Sequence, residues 1–229
     1  MANLNALQKT LRVRFKDSSL LEQALVHTSY LNENPHLVLS SNERLEFLGD
    51  AVLGFIIAVE LYRRFPDISE GEMTKLRASV VRRDALAHVA RAIRLGDYLF
   101  LGRGEEASGG RRKPANLARA LEALIAAIFL DRGLAVTRGF ILRLVGRELN
   151  KGTESDYKSR LQELLQAKQK SKPAYHVIAV AGPEHDRTFT VAVRVGGKVL
   201  GKGSGKSKKA AETKAARIAL GRLNTSFTP

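Results

Sequence analysis

Apolar residues recur at three- and four-residue spacing from Leu4 to about Gly146, in sets such as Leu20, Leu21, Ala24, Leu25 and Leu76, Val80, Val81. That spacing lines one face of a helix. Asn34-Pro35, Phe65-Pro66 and the stretch from Gly102 to Pro114 punctuate the run and divide it into several helices, the last stretch reading as a mobile loop. The segment ALEALIAAIFL, residues 120–130, is apolar nearly all round and predicts a buried central helix.

The pattern changes near Lys151-Gly152-Thr153, a short polar stretch that reads as a hinge. An amphipathic helix is predicted over residues 157–168, followed by Pro173. Two alternating runs, 175–180 and 189–195, are separated by Gly182-Pro183, and Gly196-Gly197 closes the second, as in a β-hairpin. A third short strand is predicted at 198–201, then a Gly/Lys loop and an Ala-rich helix over 208–223. The expected fold is therefore mostly α: an all-α domain followed by a small α+β domain of order α-β-β-β-α. Its expected limits are 1–133 for the helical domain, 134–155 for a helix end and linker, and 156–226 for the second domain.

Charge changes this picture by pointing to a partner. The 229 residues hold 38 Lys and Arg against 23 Asp and Glu, a formal net charge of +15. Residues 151–229 alone carry 16 basic against 6 acidic side chains, and the first 150 carry 22 against 17. A polyanion, nucleic acid before membrane, is the expected partner, and the tail its stronger binder. Without Cys there are no disulfides, thiolate nucleophiles or zinc-thiolate sites. No apolar run is long enough to span a membrane, and the charged start lacks the apolar core of an export signal. The cytoplasm is the expected compartment.

The stretch from Asn42 to Asp50, NERLEFLGD, concentrates the candidate chemistry. On a helix Glu43, Glu46 and Asp50 fall at i, i+3 and i+7 and share one face. Stacked like charges repel, and a shared divalent cation with hard oxygen ligands, Mg²⁺ or Mn²⁺, would remove the repulsion. The alternative is a solvated acidic face. Against it stand Leu45, Phe47, Leu48 and the apolar run 51–59, which predict a largely buried helix whose acids need partners. Glu122, opening a second apolar run, is a similarly placed acid.

NERLEFLGDAVL resembles the signature of the ribonuclease III family. The segments ALVHTSYLNE, EGEMTKLRASVV, LGRGEEASGGRR and LEALIAAIFLD follow in that family's order and spacing, and the tail resembles the double-stranded-RNA-binding domain of its bacterial members. The resemblance covers nearly the whole chain. It implies an endoribonuclease in which Glu46, Asp50 and Glu122 bind Mg²⁺, with Asp50 and Glu122 as catalytic residues. The activated water would attack an RNA phosphodiester and leave 5′-phosphate ends, in processing of ribosomal and other structured precursor RNAs. Glu43 corresponds to an acid at the edge of the site. Phe47 corresponds to an aromatic that packs into a partner subunit, which implies a homodimer. No small-molecule cofactor is implied.

One position departs from the family pattern. Arg119 stands three residues before Glu122, where the family has a metal-binding Asp. Arg cannot ligate a cation, and its charge would weaken one nearby. Arg119 either pairs with an acid or phosphate in an active enzyme, or leaves a catalytically silent double-stranded-RNA-binding dimer. Retention of Glu46, Asp50 and Glu122 favours the enzyme. His27 reads as a structural histidine, Asn42 and Arg44 as supports of the acidic face. Arg111, Arg112 and Lys113 are candidates to lie along RNA.

In the tail, Gln162 and Glu163 on the first helix can bond 2′-hydroxyls, and His185 in the hairpin loop can enter a second minor groove. Lys206, Lys208 and Lys209 precede or open the last helix, where amide donors also favour phosphate. The segment GKGSGKSKKAAE is one residue short of a P-loop and lacks its fold context. It matches instead the consensus GxGxSKKxAE of the double-stranded-RNA-binding family.

Overall fold

The computed structural model describes residues 3–66, 68–167 and 171–225. The chain divides into two compact units, Met1–Glu148 and Leu149–Pro229. In the first, helices α1 (Leu4–Leu11), α2 (Ser18–Leu25), α3 (Thr28–Glu33), α4 (Glu43–Arg64), α5 (Glu70–Val81), α6 (Arg83–Ala92) and α7 (Arg103–Ala107) precede α8 (Pro114–Ala167). Local chemistry sets several starts. Asn3 accepts from the Ala6 amide, Asp17 from Ser19, and Ser69 with Glu72 forms a reciprocal capping box.

Leu121, Leu124, Ile125 and Ile128 of α8 are fully buried, as are Leu53, Ile57 and Leu61 of α4, so the predicted central helix is present. Gly133 breaks α8 with φ of 75° and ψ of 178°, a backbone that side chains rarely adopt. The helix resumes and stays with the first unit to Glu148. Phe140, Ile141 and Val145 are buried, Arg143 donates to the Leu11 carbonyl at 3.1 Å, and Arg138 meets the buried Glu60 at 2.6 Å.

Two expectations give way here. Residues 151–153, read as a hinge, carry helical backbone. The polar composition that marks a linker is equally compatible with helical backbone. The stretch from Gly102 to Pro114, read as a mobile loop, is folded into α7 and a 3-10 turn at Gly110–Arg112. Arg111 donates to the carbonyls of Leu99 (2.8 Å) and Gly96 (3.1 Å) and pairs with Glu106. Lys113 and Asn116 both bond Glu105 at 2.8 Å. Arg111 and Lys113 are thus committed internally, and of the three basic residues Arg112 alone is exposed.

The second unit is an antiparallel sheet of order β1-β2-β3, with β1 Ala174–Ala181, β2 Thr188–Val195 and β3 Lys198–Gly205. Gly196 and Gly197, both at positive φ, turn β2 into β3. Tyr157, Leu161 and Leu165 of α8 pack with Val193 and with Ala215, Ala216, Ala219 and Leu220 of α9 (Lys208–Thr225). β3 runs four residues past its predicted end because its glycines are packing positions. A Cβ on Gly203 would lie 2.4 Å from the Ala215 amide, and one on Gly201 2.4 Å from the Ala215 carbonyl oxygen. Alternate strand positions lacking side chains let α9 lie directly on the sheet. Lys168 and residue 226, at the ends of predicted segments, lie outside the described residues.

Candidate functional site

The site is built where α4 meets α8. A Cβ on Gly49 would fall 1.8 Å from the Glu122 carbonyl oxygen, so the two helix backbones touch. Gly in a helix interior costs about 1 kcal/mol relative to Ala, so an isolated one between carboxylates calls for a packing reason. That signal was readable in the sequence and was missed. The contact sets Asp50, next along α4, beside the Glu122 side chain. At the head of α4 the buried Asn42 does not cap the helix. Its side-chain amide donates to the Ala24 carbonyl at 3.3 Å and its backbone N–H to Val26 at 2.9 Å, tying α4 to the end of α2.

Glu43, Glu46, Asp50 and Glu122 line one cleft of about 610 Å³ together with Phe47, Ala51 and Arg119. Arg119 Nε lies 3.4 Å from Glu46 Oε1. Burial raises the Glu46 carboxyl above its usual range; Arg119 opposes the rise, while Glu43 and Asp50 add to it. Burial, reinforced by Asp50 and Glu46 and again opposed by Arg119, pushes Glu122 up to about 7. Among the described residues no three acidic or histidine side chains already converge on a single point. The donors are nonetheless all hard oxygens whose mutual repulsion, among the described residues lining the cleft, Arg119 alone offsets, a set that suits a divalent cation of the Mg²⁺ type. Ser41 donates to Glu43 at 2.9 Å, holding it at the rim.

α4 is not buried all round. Phe47 is 82% exposed, and Phe55 and Tyr62 are also exposed along the same stripe. This corrects the expectation of a largely buried helix: one face packs in the unit, the next carries the acids, and a third leaves aromatics in solvent. His27 is structural, its Nδ1 accepting from the Ser29 amide at 3.2 Å as the cap of α3.

In the second unit Gln162 and Glu163 are exposed on α8, opposite the positions that pack into the core. His185 lies on the 3-10 turn Glu184–Asp186 between β1 and β2; its side chain lies outside the described residues. Lys206 is exposed and pairs with Asp186 at 2.5 Å, so the hairpin loop and the approach to α9 are joined. Sequence reasoning missed Asp186, for the pair spans 20 residues and carries no local signal. Lys208 and Lys209 are exposed in the first turn of α9, which Ser207 caps through the Ala210 amide.

Residues 17–149 match the family model described as Ribonuclease-III-like, and residues 157–223 match the Double-stranded RNA binding motif. A protein named Ribonuclease 3 from Dehalococcoides mccartyi is 54% identical over 100% of this chain and 98% of its own length. The chain belongs to the ribonuclease III family. A 2.2 Å crystal structure of the nuclease domain of ribonuclease III from Campylobacter jejuni is similar at TM-score 0.59. It is 39% identical and covers 64% of this chain and 96% of that one. A second structure of the same domain, described by flexibility in a region involved in dimer formation, matches at the same score and identity over 64% and 98%.

The raised Glu122 carboxyl gives a pH test. In the metal-free fold Glu122 stays protonated up to about pH 7, whereas an unperturbed Glu loses its proton near 4.5. Stability should therefore fall as pH climbs through that window and level off above it. Thermal midpoints of the metal-free protein from about pH 5 to about pH 8 should show this decline, and Glu122→Gln should flatten it. An identical decline in the variant would assign it to other groups.

Proposed function

We propose that Glu46, Asp50 and Glu122 together hold Mg²⁺, or Mn²⁺ in its place, and that Asp50 and Glu122 are the catalytic pair. The chain is a metal-dependent endoribonuclease of the ribonuclease III type that acts on double-stranded RNA. The observation that supports the ligand set is the shared cleft, in which Asp50 and Glu46 add to the rise of the Glu122 carboxyl. When bound, the ion supplies charge neutralisation at the phosphate and an acidified, oriented water. The carboxylates must be ionised for this, Gly49 keeps the two helices in register, and Glu43 stands at the rim. The products carry 5′-phosphate ends. Ribosomal and other structured precursor RNAs in the cytoplasm are the proposed substrates; no described helix is long and apolar enough to cross a membrane.

Residues 1–133 are read as the catalytic and dimerisation domain and 156–226 as the RNA-binding domain, with 134–155 between them. Gln162, Glu163 and the His185 loop are the groove contacts, and Lys206, Lys208 and Lys209 the phosphate contacts. A homodimer is supported by the exposed Phe47, Phe55 and Tyr62, of which Tyr62 lines an apolar hollow of about 580 Å³ together with Ala58 and Met73. The Campylobacter jejuni nuclease domain is described as having a dimer-forming region. Phe47 also lines the acid cleft, so the face proposed for the partner adjoins the site. The second reading, a catalytically silent RNA-binding dimer, rests on Arg119 alone. It is not favoured, because Arg119 pairs with Glu46 and no ion pair engages Asp50 or Glu122 among the described residues.

Three outcomes check these assignments. Across a Mg²⁺ titration the native chain should cut a perfect RNA duplex, and Glu122→Ala should lose roughly a hundredfold or more. Equal cutting by both would sink the ligand set, and cutting by Arg119→Asp alone would establish the silent reading. Phe47→Ala should weaken the dimer by roughly a hundredfold or more, from the loss of about 1.5–3 kcal/mol of side-chain burial at each of its two copies. An unchanged sedimentation profile at high dilution would remove Phe47 from the interface. Changing Lys208 and Lys209 together to Ala should reduce the salt slope of duplex binding by about two units. A slope equal to that of the native chain would place both lysines off the phosphates.

A further inference from the structure

We propose that Arg119 is a phosphate ligand built into the acid cleft, held on Glu46 until a cation takes that carboxylate. Cation binding and RNA binding at the cleft are then linked through one side chain. The proposal rests on the reading that Glu46, Asp50 and Glu122 hold the cation.

The first unit contains arginines of two kinds. Arg138 contacts Glu60 at 2.6 Å, and that carboxylate is only 3% exposed and also meets Arg64 at 2.8 Å. Arg111 is fastened to backbone carbonyls and to Glu106. These are fixed structural pairs. Arg119 is different: it is 55% exposed, it meets Glu46 through Nε at 3.4 Å, and Glu46 is itself 27% exposed. A solvent-facing contact of that length is weak and easily exchanged.

Its position makes the exchange useful. Four carboxylates line the cleft, and an RNA phosphate entering it meets like charge. Arg119 is the cleft's one cationic side chain among the described residues. Guanidinium presents a planar fork of donors that matches phosphate oxygens. While Glu46 is unliganded, Arg119 offsets the acid repulsion. Once Glu46 ligates a cation, the guanidinium is freed for the phosphate. Because binding couplings are reciprocal, a duplex that engages Arg119 in turn releases Glu46 for the cation.

The test uses the full chain with Arg119→Gln and Arg119→Lys. Calorimetry with Mn²⁺ in the absence of RNA should show tighter binding by Arg119→Gln, since a competing cation has left Glu46. Duplex binding in the presence of Mn²⁺, with a duplex made non-cleavable at its phosphates, should weaken roughly tenfold in the same variant, with the salt slope reduced by about one unit, and in EDTA the variant and the native chain should differ less. Arg119→Lys should keep the native slope and lose affinity, because it retains the charge without the fork. Opposite movement of the two affinities is the expected signature. A parallel loss of both would make Arg119 merely structural, and unchanged duplex affinity and slope would make it idle; either overturns the proposal. If Glu122→Ala cuts like the native chain, the ligand reading falls and takes this proposal with it. If cutting behaves as expected but the affinities move together, only the role of Arg119 fails.

Discussion

Where α4 crosses α8, the backbone of one helix rests on the backbone of the other. No side chain fits between Gly49 and the carbonyl of Glu122, and helix packing normally holds axes 8–10 Å apart only by interposing side chains. The close approach puts Asp50 and Glu122 within electrostatic reach although 72 positions separate them, and it gives Glu46 and Arg119 a common cleft. The fold accepts the cost of a helical glycine in return for a site assembled from two rigid elements rather than loops. Catalytic groups on helices keep their spacing more closely than groups on loops.

The RNA-binding unit uses the same device on a different scaffold. Gly201 and Gly203 of β3 face Ala211, Ala215 and Ala219 of α9, so small residues on both sides replace a conventional side-chain layer. In each unit glycine lets two backbones meet without an intervening side chain. The interior is close-packed, and small residues there shift backbones instead of leaving voids.

Much of this was legible from local pattern. Helical periodicity located the central helix, alternation located β1 and β2, and the face shared by Glu43, Glu46 and Asp50 located the acid cleft. What was not legible depends on partners distant in sequence. The stretch from Gly102 to Pro114 reads as a loop because its order comes from Arg111 reaching Leu99 and Gly96 and from Asn116 reaching Glu105. The end of β3 was lost because glycine signals a turn when read locally and a close approach when read with α9 in place. The apolar stripe of α4 predicted burial, yet Phe47, Phe55 and Tyr62 face solvent in a single chain; hydrophobicity alone does not say whether the covering surface is intramolecular.

The pair between Lys206 and Asp186 carries a consequence for ionic strength. It clasps the β1–β2 loop to the approach to α9, and both side chains are more than half exposed. A contact open to water on both sides is held by little more than its Coulomb attraction, which dissolved salt screens. The join between hairpin loop and helix start is therefore a soft one, tightest in dilute buffer and slack in brine.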